Sequence, residues 1–436
     1  MDINKIREIL RRMGEDPSRA LGQNFLIDEN FAIWMAGQME SGGRIIEVGP
    51  GLGSLTEPLL RAGAQVTGLE LDRDMIRHLR GHFAGQPLEV IEGDAAQADL
   101  AALWTGEPVQ VIGNLPYGAG TAIVRHFASA LCPAERMVFM LQKEVAERLA
   151  AEPACRDYGS LTIAIQRYWE VRLLRVLPPE AFFPRPKVHS AIVELRRKPP
   201  AAVPKCDERR METLVRQGFA ERRKQLRKLI GVDREKWETL CAKLGCPPTV
   251  RAEELSLDQW AALTNLLTAP AEPLPEEMFD VVDEADEPVE QLPRSEVHRR
   301  WLRHRAVHIQ VFNSAGEIYL QRRAAWKDIN PWLWDSGAAG HLSAGEGYLL
   351  SAHREIEEEL GVRAESFEKI GKLPPSRMTG NEFIEVFTTR HEGPFRLQQS
   401  EIATGSFFPL DQVRRWSERQ PRDFSPVFLE CLKLLD

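Results

Sequence analysis

Short apolar runs, each followed by a glycine or a polar residue, recur through the first part of the chain. They lie at residues 44–48, 64–72, 88–92 and 109–113. Helix-length segments separate these runs, and strands that alternate with helices predict a parallel sheet. Because the carboxyl ends of parallel strands meet at one edge of the sheet, the polar groups that follow these strands should lie together. The pattern therefore predicts an α/β domain with a ligand site at that edge.

The first of these runs leads into a glycine-rich turn with glycines at 49, 51 and 53. Glycines let backbone approach a ligand closely. Glu70 lies 21 positions past Gly49 (70 − 49), where doubly wound sheets place a carboxylate on ribose hydroxyls. The NAD fingerprint GxGxxG would need a third glycine at Ser54, so that cofactor is disfavoured. S-adenosylmethionine fits better, with Glu70 on the ribose and Asp94 facing the adenine amine.

The tetrapeptide Asn114-Leu115-Pro116-Tyr117 follows the fourth run. The side-chain carbonyl of Asn114 and the backbone carbonyl before or at Pro116 can both accept hydrogen bonds from an exocyclic NH₂. Tyr117 offers a face on which a flipped base can stack. This combination indicates methylation of an amino group, in which the nitrogen lone pair is aimed at a sulfonium methyl. The alternative is an ordinary turn with a buried aromatic residue.

Nine segments resemble, in the same order, the KsgA-type family of rRNA adenine dimethyltransferases, which includes erythromycin-resistance methylases. They are LGQNFL (21–26), EVGPGLGSLT (47–56), GLELD (68–72), EGDAA (92–96), NLPY (114–117), FMLQKEVAERL (139–149), YGSLT (158–162), FFPRPKVHSAIV (182–193) and FAERRKQLRKLI (219–230). The resemblance implies a Rossmann-like, S-adenosylmethionine-dependent sheet and a small C-terminal helical domain. With the glycine turn, it predicts a cofactor site formed by Asn24, Leu26, Gly49, Gly51, Glu70, Asp94, Ala95 and Asn114.

The resemblance further implies that Tyr117 and Phe182 hold the target adenine beside Asn114, Leu115 and Pro116, with Phe183 as the alternative to Phe182. The implied reaction is dimethylation of two adjacent adenines near the 3′ end of small-subunit rRNA, within a pre-30S particle. The alternative is a protein that acts mainly as an RNA-binding assembly factor.

The charge of the chain is unevenly distributed. Residues 151–250 contain 21 Lys and Arg against 12 Asp and Glu, whereas residues 269–436 contain 20 against 29. A basic segment in an acidic protein indicates a polyanionic partner. Its densest part is predicted to be helical and to contact RNA phosphates, although some of these cations belong to ordinary solvated surface. The predicted RNA contacts are Arg222, Arg223, Lys224 and Arg227.

A length of 436 residues predicts two or three domains. The predicted boundaries give a methyltransferase domain at 1–200, a helical RNA-binding domain at 201–268, a proline- and glutamate-rich linker at 269–278 and a last domain at 279–436. No apolar run reaches the length of about 18 residues that crosses a bilayer. The six cysteines are scattered without CxxC pairs. These features predict reduced thiols, a cytoplasmic location and no membrane association.

The last domain contains a second motif, built from Gly340, Glu346 and the segment REIEEELG at 354–361. Glu355, Glu358 and Glu359 stand at positions i, i+3 and i+4, so one helical face carries three carboxylates. Crowded carboxylates favour a bound cation, and oxygen ligands suit Mg²⁺ or Mn²⁺. A charge run on a helix is usually a solvated face, but the spaced glycines and Glu346 favour the metal site.

This motif matches the Nudix box, so residues 279–436 resemble a Nudix hydrolase. The resemblance implies an α/β/α sandwich that hydrolyses a nucleoside-diphosphate-linked substrate by metal-activated water, with Arg354 orienting the acids. Flanking segments resemble the subgroup related to isopentenyl-diphosphate isomerase, but Ala339 stands where the isomerase cysteine is expected. Hydrolysis is therefore preferred over isomerisation. A non-catalytic binding module is the remaining alternative.

Overall fold

The computed structural model describes residues 3–13, 24–40, 43–268 and 276–435. The first three residues of LGQNFL and most of the predicted linker, at 269–275, lie outside the described residues. The chain divides into two compact units near residue 264, although residues 104–106 and 205–209 group with the second. No described helix is both long and apolar enough to cross a bilayer.

The first two-thirds of the chain alternates strands and helices. The described strands there are β1 (Phe25–Leu26), β2 (Arg44–Val48), β3 (Gln65–Glu70), β4 (Leu88–Glu92), β5 (Val109–Asn114), β6 (Arg136–Gln142), β7 (Trp169–Leu177), β8 (Phe182–Phe183) and β9 (Ser190–Arg197). The described helices are α1 (Ile3–Met13), α2 (Glu29–Ala36), α3 (Thr56–Arg61), α4 (Arg73–His82), α5 (Gly120–Phe127), α6 (Lys143–Leu149), α7 (Ser160–Gln166), α8 (Glu208–Gly218), α9 (Leu226–Ile230), α10 (Arg234–Leu244) and α11 (Leu257–Thr268).

Seven of these strands form one sheet in the order β4-β3-β2-β5-β6-β9-β7. The strands from β4 to β6 pair in parallel, and β9 is antiparallel to both its neighbours. The four predicted strands are therefore confirmed, as β2 to β5. Strand order reverses between β2 and β5, and ligands of open α/β sheets bind in the crevice at such a point. Strands β2 and β5 are buried along almost their whole length, as expected for central parallel strands.

The helices at the end of this region differ from the prediction in one place. The sequence predicts a helix through the basic cluster, but α8 ends at Gly218 and a turn precedes α9. A Cβ at Gly218 would lie 2.7 Å from the ring of Trp260, so glycine allows this close approach. Leu226 and Trp260 are both fully buried. The apolar pattern of residues 233–266 predicts a small helical domain with a core of eight residues. Six of them are buried and Leu266 and Leu267 are half-buried; the buried six are Trp237, Leu240, Leu244, Leu255, Trp260 and Leu263.

The second unit is built around a mixed sheet. Its strands are β10 (Met278–Val282), β11 (Pro288–Pro293), β12 (His304–Phe312), β13 (Glu317–Arg323), β14 (Trp334–Asp335), β15 (Ala338–His341), β16 (Glu368–Leu373), β17 (Glu382–Arg390) and β18 (Ile402–Pro409). Its helices are α12 (Arg294–Arg299), α13 (Tyr348–Leu360), α14 (Leu410–Arg419) and α15 (Pro426–Leu432). The apolar segments 308–312 and 317–321, separated by Asn313-Ser314-Ala315-Gly316, predict a hairpin. The structure confirms it, since Val311 pairs with Tyr319 across β12 and β13.

Alternate residues of β12 face two different cores, as the strand period of two requires. Val307 and Ile309 pack with Ile356 of α13. Ala306, which precedes Val307 in the strand, packs with Cys431 of α15. Helices therefore cover both faces of the sheet, which confirms the predicted α/β/α sandwich.

Candidate active sites

A cavity of about 500 Å³ opens at the carboxyl ends of β2, β3 and β5. It lies where the strand order reverses, as the fold requires. All the predicted cofactor and target-base residues except Phe182 line it: Asn24, Leu26, Gly49, Gly51, Glu70, Asp94, Ala95, Asn114, Leu115, Pro116 and Tyr117. Their individual roles stay predictions, but the structure brings them to one place.

Glu70 is tied to the glycine turn. Gly51 has a φ of +54°, which favours glycine, and its N–H donates to Glu70 Oε2 at 2.9 Å. Glu70 Oε1 accepts from the N–H groups of Leu71 and Asp72 at 2.9 and 3.0 Å. A carboxylate has about four acceptor positions, so capacity remains for a ribose hydroxyl. Burial raises the pKa of Glu70, and these N–H groups oppose that shift.

Glu47 is a cavity residue that the sequence analysis did not single out. Its side chain is 1% exposed and accepts a hydrogen bond from Thr56 Oγ1 at 2.6 Å. Burial raises its pKa to about 8. The signal was present in the sequence, because Glu47 begins the segment EVGPGLGSLT.

The tetrapeptide presents two acceptors. Asn114 Nδ2 donates to the Asn24 carbonyl at 2.9 Å, which leaves Asn114 Oδ1 as an acceptor. The Pro116 carbonyl accepts from the N–H groups of Ala119 and Gly120 at 3.1 and 2.8 Å. Within the described chain, nothing donates to the carbonyl of Leu115. Of the two backbone carbonyls that the sequence left open, that of Leu115 is therefore available.

Tyr117 is positioned by Ser190, which the sequence analysis missed. The phenol oxygen of Tyr117 lies 2.6 Å from Ser190 Oγ, and Ser190 is fully buried at the start of β9. Burial raises the pKa of Tyr117. Ser190 belongs to the segment FFPRPKVHSAIV, but nothing in the sequence pairs it with a tyrosine 73 positions away. The antiparallel β9 beside β6 brings it there.

The structure does not bring Phe182 to the cavity. Phe182 is 2% exposed, pairs with Leu26 across β1 and β8, and packs in the main core of the unit. Phe183, the alternative, is partly buried against α1 and lies 5.2 Å below the guanidinium of Arg7. Neither phenylalanine lines the cavity.

The basic cluster is largely engaged within the protein. Arg222 donates to the Tyr158 carbonyl at 2.9 Å and pairs with Glu253 at 3.1 Å. Lys224 pairs with Glu221 at 2.8 Å, and Arg227 donates to the Val232 carbonyl at 3.2 Å. Arg223 is exposed and makes no hydrogen bond or ion pair with any described residue. Of the four predicted RNA contacts, Arg223 is therefore the freest.

In the second unit, the three predicted metal ligands lie on α13. Glu355 and Glu359 are 8% and 6% exposed, whereas Glu358 is exposed. Burial raises the pKa of Glu355 to about 7 and that of Glu359 to about 8. Glu359 Oε2 accepts from Ala339 N–H at 3.0 Å and from Gln321 Nε2 at 3.1 Å. Glu355 lies close enough to Glu359 to raise the pKa of Glu359, and carboxylate oxygens are ligands that suit a hard divalent cation.

Arg354 connects these acids. Its guanidinium donates to Glu355 at 2.7 Å, to Glu358 at 3.1 Å and to Glu346 at 3.0 Å. It also donates to the His341 carbonyl at 2.9 Å. These contacts agree with the expectation that Arg354 orients the acids. They leave it little capacity to bind a substrate directly.

The fold and cavity of the first unit define a methyltransferase with a doubly wound sheet. The ribosomal RNA adenine dimethylase model matches residues 16–269, which are 254 of the 436 residues, and the chain belongs to this family. Members of the family use S-adenosylmethionine. A NUDIX domain model matches residues 302–428. The second unit therefore contains a Nudix domain, a class that generally uses a divalent metal.

Curated relatives resemble the first unit along most of their own length. A ribosomal RNA small subunit methyltransferase A from Laribacter hongkongensis is 40% identical over 253 residues, covering 57% of this chain and 95% of the relative. The protein of the same name from Anaeromyxobacter sp. (strain K) is 41% identical over 277 residues, covering 60% and 97%. The crystal structure of the 23S rRNA methyltransferase ErmE is 27% identical, covers 56% of this chain and 99% of its own, and has a TM-score of 0.46.

Proposed function

We propose that the first unit uses S-adenosylmethionine to dimethylate two adjacent adenines near the 3′ end of small-subunit rRNA during ribosome assembly in the cytoplasm. The names of the most similar relatives support the choice of rRNA. The observation that carries the chemistry is the pair of open acceptors, Asn114 Oδ1 and the Leu115 carbonyl, on two residues that line a cavity of about 500 Å³.

These two acceptors orient the target amine. Each takes one N–H of the adenine NH₂, so the nitrogen lone pair points away from both and toward the cofactor side of the cavity. The bound cofactor supplies an electrophilic methyl group there. Tyr117, held by Ser190, stacks on the flipped base. No strong base is needed, because the proton leaves the amine after the new N–C bond forms.

The second methylation needs less from the protein. A monomethylated amine has one N–H left, so one acceptor suffices to orient it while the first methyl group takes the other position. For RNA positioning, Arg223 is the best placed of the basic cluster, since its charge is not neutralised by a described residue.

Replacing Asn114 with alanine tests this function. We expect methylation of small-subunit RNA to fall by about 10²-fold or more, because one orienting acceptor is lost. Asn30→Ala is the matched control, since Asn30 is exposed on α2. If Asn114→Ala methylates RNA like the parent, the catalytic assignment is wrong. If parent and variant both bind RNA without methylating it, the protein acts as an assembly factor.

We propose that the second unit hydrolyses a nucleoside-diphosphate-linked substrate, using Mg²⁺ or Mn²⁺ held by Glu355, Glu358 and Glu359. The buried carboxylates on one helical face support the metal. Such an ion, when bound, would activate water and neutralise phosphate charge. The segment around Ala339 argues against isomerisation, because an alanine offers no group to move a proton.

A substrate screen on the full chain distinguishes the alternatives. Nucleoside-diphosphate-linked compounds and isopentenyl diphosphate are incubated with Mg²⁺, and products are followed by ³¹P and ¹H NMR. Cleavage of a diphosphate bond supports hydrolysis. Double-bond migration in isopentenyl diphosphate would show an isomerase, and no turnover of any compound would favour a binding module.

A further inference from the structure

Two of the six cysteines lie together at the end of α10. Cys241 is in the last turn of this helix, Gly245 follows the helix with a φ of +66°, and Cys246 comes next. The N–H of Cys246 donates to the Cys241 carbonyl at 3.1 Å, which is the hydrogen bond that defines a Schellman motif. Side chains at these two positions of the motif frequently touch. The end of the helix therefore brings two thiols together without a CxxC spacing.

The two thiols are free, and they differ in exposure and in hydrogen bonding. Cys241 is 1% exposed, whereas Cys246 is half-buried. Burial raises the pKa of Cys241 to about 12, and the hydrogen bond that its thiol donates to Cys246 Sγ adds to this rise. Burial also raises the pKa of Cys246, but the same hydrogen bond opposes that shift. Cys246 is therefore the thiol that a reagent from solution meets, and Cys241 is shielded behind it.

The backbone around the pair is fixed by hydrogen bonds on both sides of the helix end. Gln259 Nε2 donates to the Leu244 carbonyl at 3.0 Å, and Trp237 Nε1 donates to the Pro248 carbonyl at 2.8 Å. Because this segment is already ordered, joining the two sulfurs would cost little further conformational entropy. Groups that are held in contact react with each other far faster than with the same group in solution.

We propose that Cys241 and Cys246 form a redox modification site, which a hydroperoxide from solution converts into a disulfide. Cys246 attacks the peroxide, so that its S–H becomes S–OH and the rest of the peroxide leaves as an alcohol or water. Cys241 then attacks the oxidised sulfur, the S–S bond forms, and the hydroxyl leaves as water with the Cys241 proton. The peroxide accepts the two electrons that the sulfurs lose, and a dithiol reductant restores both thiols.

The bond would act on the segment that supports the basic turn. The Val250 carbonyl accepts from the Leu226 N–H at 3.0 Å, at the start of α9. Arg222 and Arg223 lie in the turn that precedes α9. Closure of the disulfide therefore stiffens residues 244–251, next to two of the predicted RNA contacts. No cysteine lines the cofactor cavity, so the modification does not involve that site.

Peptide mapping of the full chain tests the site. The folded protein is treated with hydrogen peroxide, alkylated and cleaved with trypsin, which cuts after Lys243 and so separates the two cysteines. We expect peptides 237–243 and 244–251 to stay linked, with a mass about 2 Da below the sum of the two thiol peptides, because two hydrogens are lost. Dithiothreitol should separate them. Cys155→Ser, which changes another half-buried thiol, is the matched control and should form the link like the parent.

Single variants test the order of the two steps. Dimedone should trap sulfenic acid at Cys246 in Cys241→Ser at least about tenfold more than at Cys241 in Cys246→Ser, because Cys246 is the more exposed thiol. In the oxidised parent, amide exchange of residues 244–251 should slow by about tenfold and recover after reduction. Thiols that only fill space in the core would change neither measurement.

Three outcomes contradict the proposal, and the first two need no variant of the pair. One is a parent in which peroxide oxidises Cys155 while Cys241 and Cys246 remain unlinked. Another is a link that forms only after the chain is unfolded, because the contact of the two thiols belongs to the folded protein. Equal trapping by dimedone in the two single variants would contradict the assigned order of attack.

Discussion

The acids of the two active sites are buried to a similar degree but are satisfied differently. In the first unit, Glu70 accepts three backbone N–H groups, and Glu47 accepts a threonine hydroxyl. In the second, the charge of Glu355 adds to burial in raising the pKa of Glu359, and Arg354 reaches only Glu355 of the two.

This difference separates two uses of a carboxylate. A carboxylate that accepts hydrogen bonds from the protein's own N–H groups is stabilised without a cation. It can still accept a hydrogen bond from a neutral ligand. Two neighbouring buried acids, of which only one is paired with a guanidinium, carry excess negative charge, which is unfavourable until a cation binds. The first arrangement suits an adenosine-bearing cofactor, and the second suits a divalent ion.

Removing one acid of the second unit should have the largest effect. Glu359→Gln should weaken Mn²⁺ binding and diphosphate cleavage by about 100-fold, since it deletes a charged ligand while preserving shape. Glu357→Gln on the exposed face of α13, where Glu357 pairs with Arg363 at 2.9 Å, is the control. Mn²⁺ titration followed by electron paramagnetic resonance measures the affinity. Equal loss in both variants would mean that the carboxylates act only through total charge.

The second test changes pH instead of sequence. The pKa values of about 7 for Glu355 and about 8 for Glu359 mean that both are mostly protonated at pH 6 in the metal-free protein. A cation must displace these protons, so Mn²⁺ affinity should fall about tenfold or more from pH 8 to pH 6. Calorimetry in buffers of different ionisation heat counts the released protons. A pH-independent affinity would contradict the raised pKa values.

Glu70→Gln tests the arrangement of the first unit, in which backbone N–H groups hold the carboxylate. An amide NH₂ cannot accept from the N–H groups around it, so cofactor affinity should fall about tenfold. Mn²⁺ binding to the second unit should not change. Glu92→Gln is the matched control, because Glu92 is the cross-strand partner of Glu70 but is exposed and pairs with Arg73. Tight cofactor binding by Glu70→Gln would show that the carboxylate only shapes the turn.

The smallest effect is expected at Ser190. Ser190→Ala removes one hydrogen bond to Tyr117, worth about 1 kcal/mol, so kcat should fall roughly fivefold with little change in KM for RNA. Tyr117→Phe should have a similar effect, and the double variant should be no worse than either alone. Additive losses would mean that the two hydroxyls act separately.

The strands, the glycine turn and the cavity of the first unit could be predicted from the sequence, because each depends on a local pattern of residues. Apolar runs give β2 to β5, and a glycine turn followed by acids at strand ends gives the lining. Side-chain contacts that depend on how the strands pair could not be predicted from the sequence. Ser190 reaches Tyr117 only because β9 joins β6, and Arg222 donates to the Tyr158 carbonyl from a turn that replaces the expected helix. Phe182 was carried over by resemblance, and the structure packs it in the core.

The second unit shows the same limit more clearly. The Nudix box lies within one short segment, so the spacing of its residues can be recognised in the sequence alone. By contrast, His298, His304 and His341, whose ring nitrogens lie within 4.8 Å of one another, come from α12, β12 and β15. Nothing in a single sequence connects His298 with a residue beyond position 340. Parallel pairing of β12 with β17 then adds Glu382.

Gly340 shows how little tolerance the second unit has at one backbone position. A Cβ added there would lie 2.0 Å from the carboxyl carbon of Glu355. Even alanine would therefore displace the carboxylate of Glu355, a predicted metal ligand. In a library of variants, substitutions at this position should reduce hydrolysis as strongly as substitutions of a metal ligand. A loss of hydrolysis at Gly340 would then report a steric displacement, and methyl transfer in the same chain would continue unaffected.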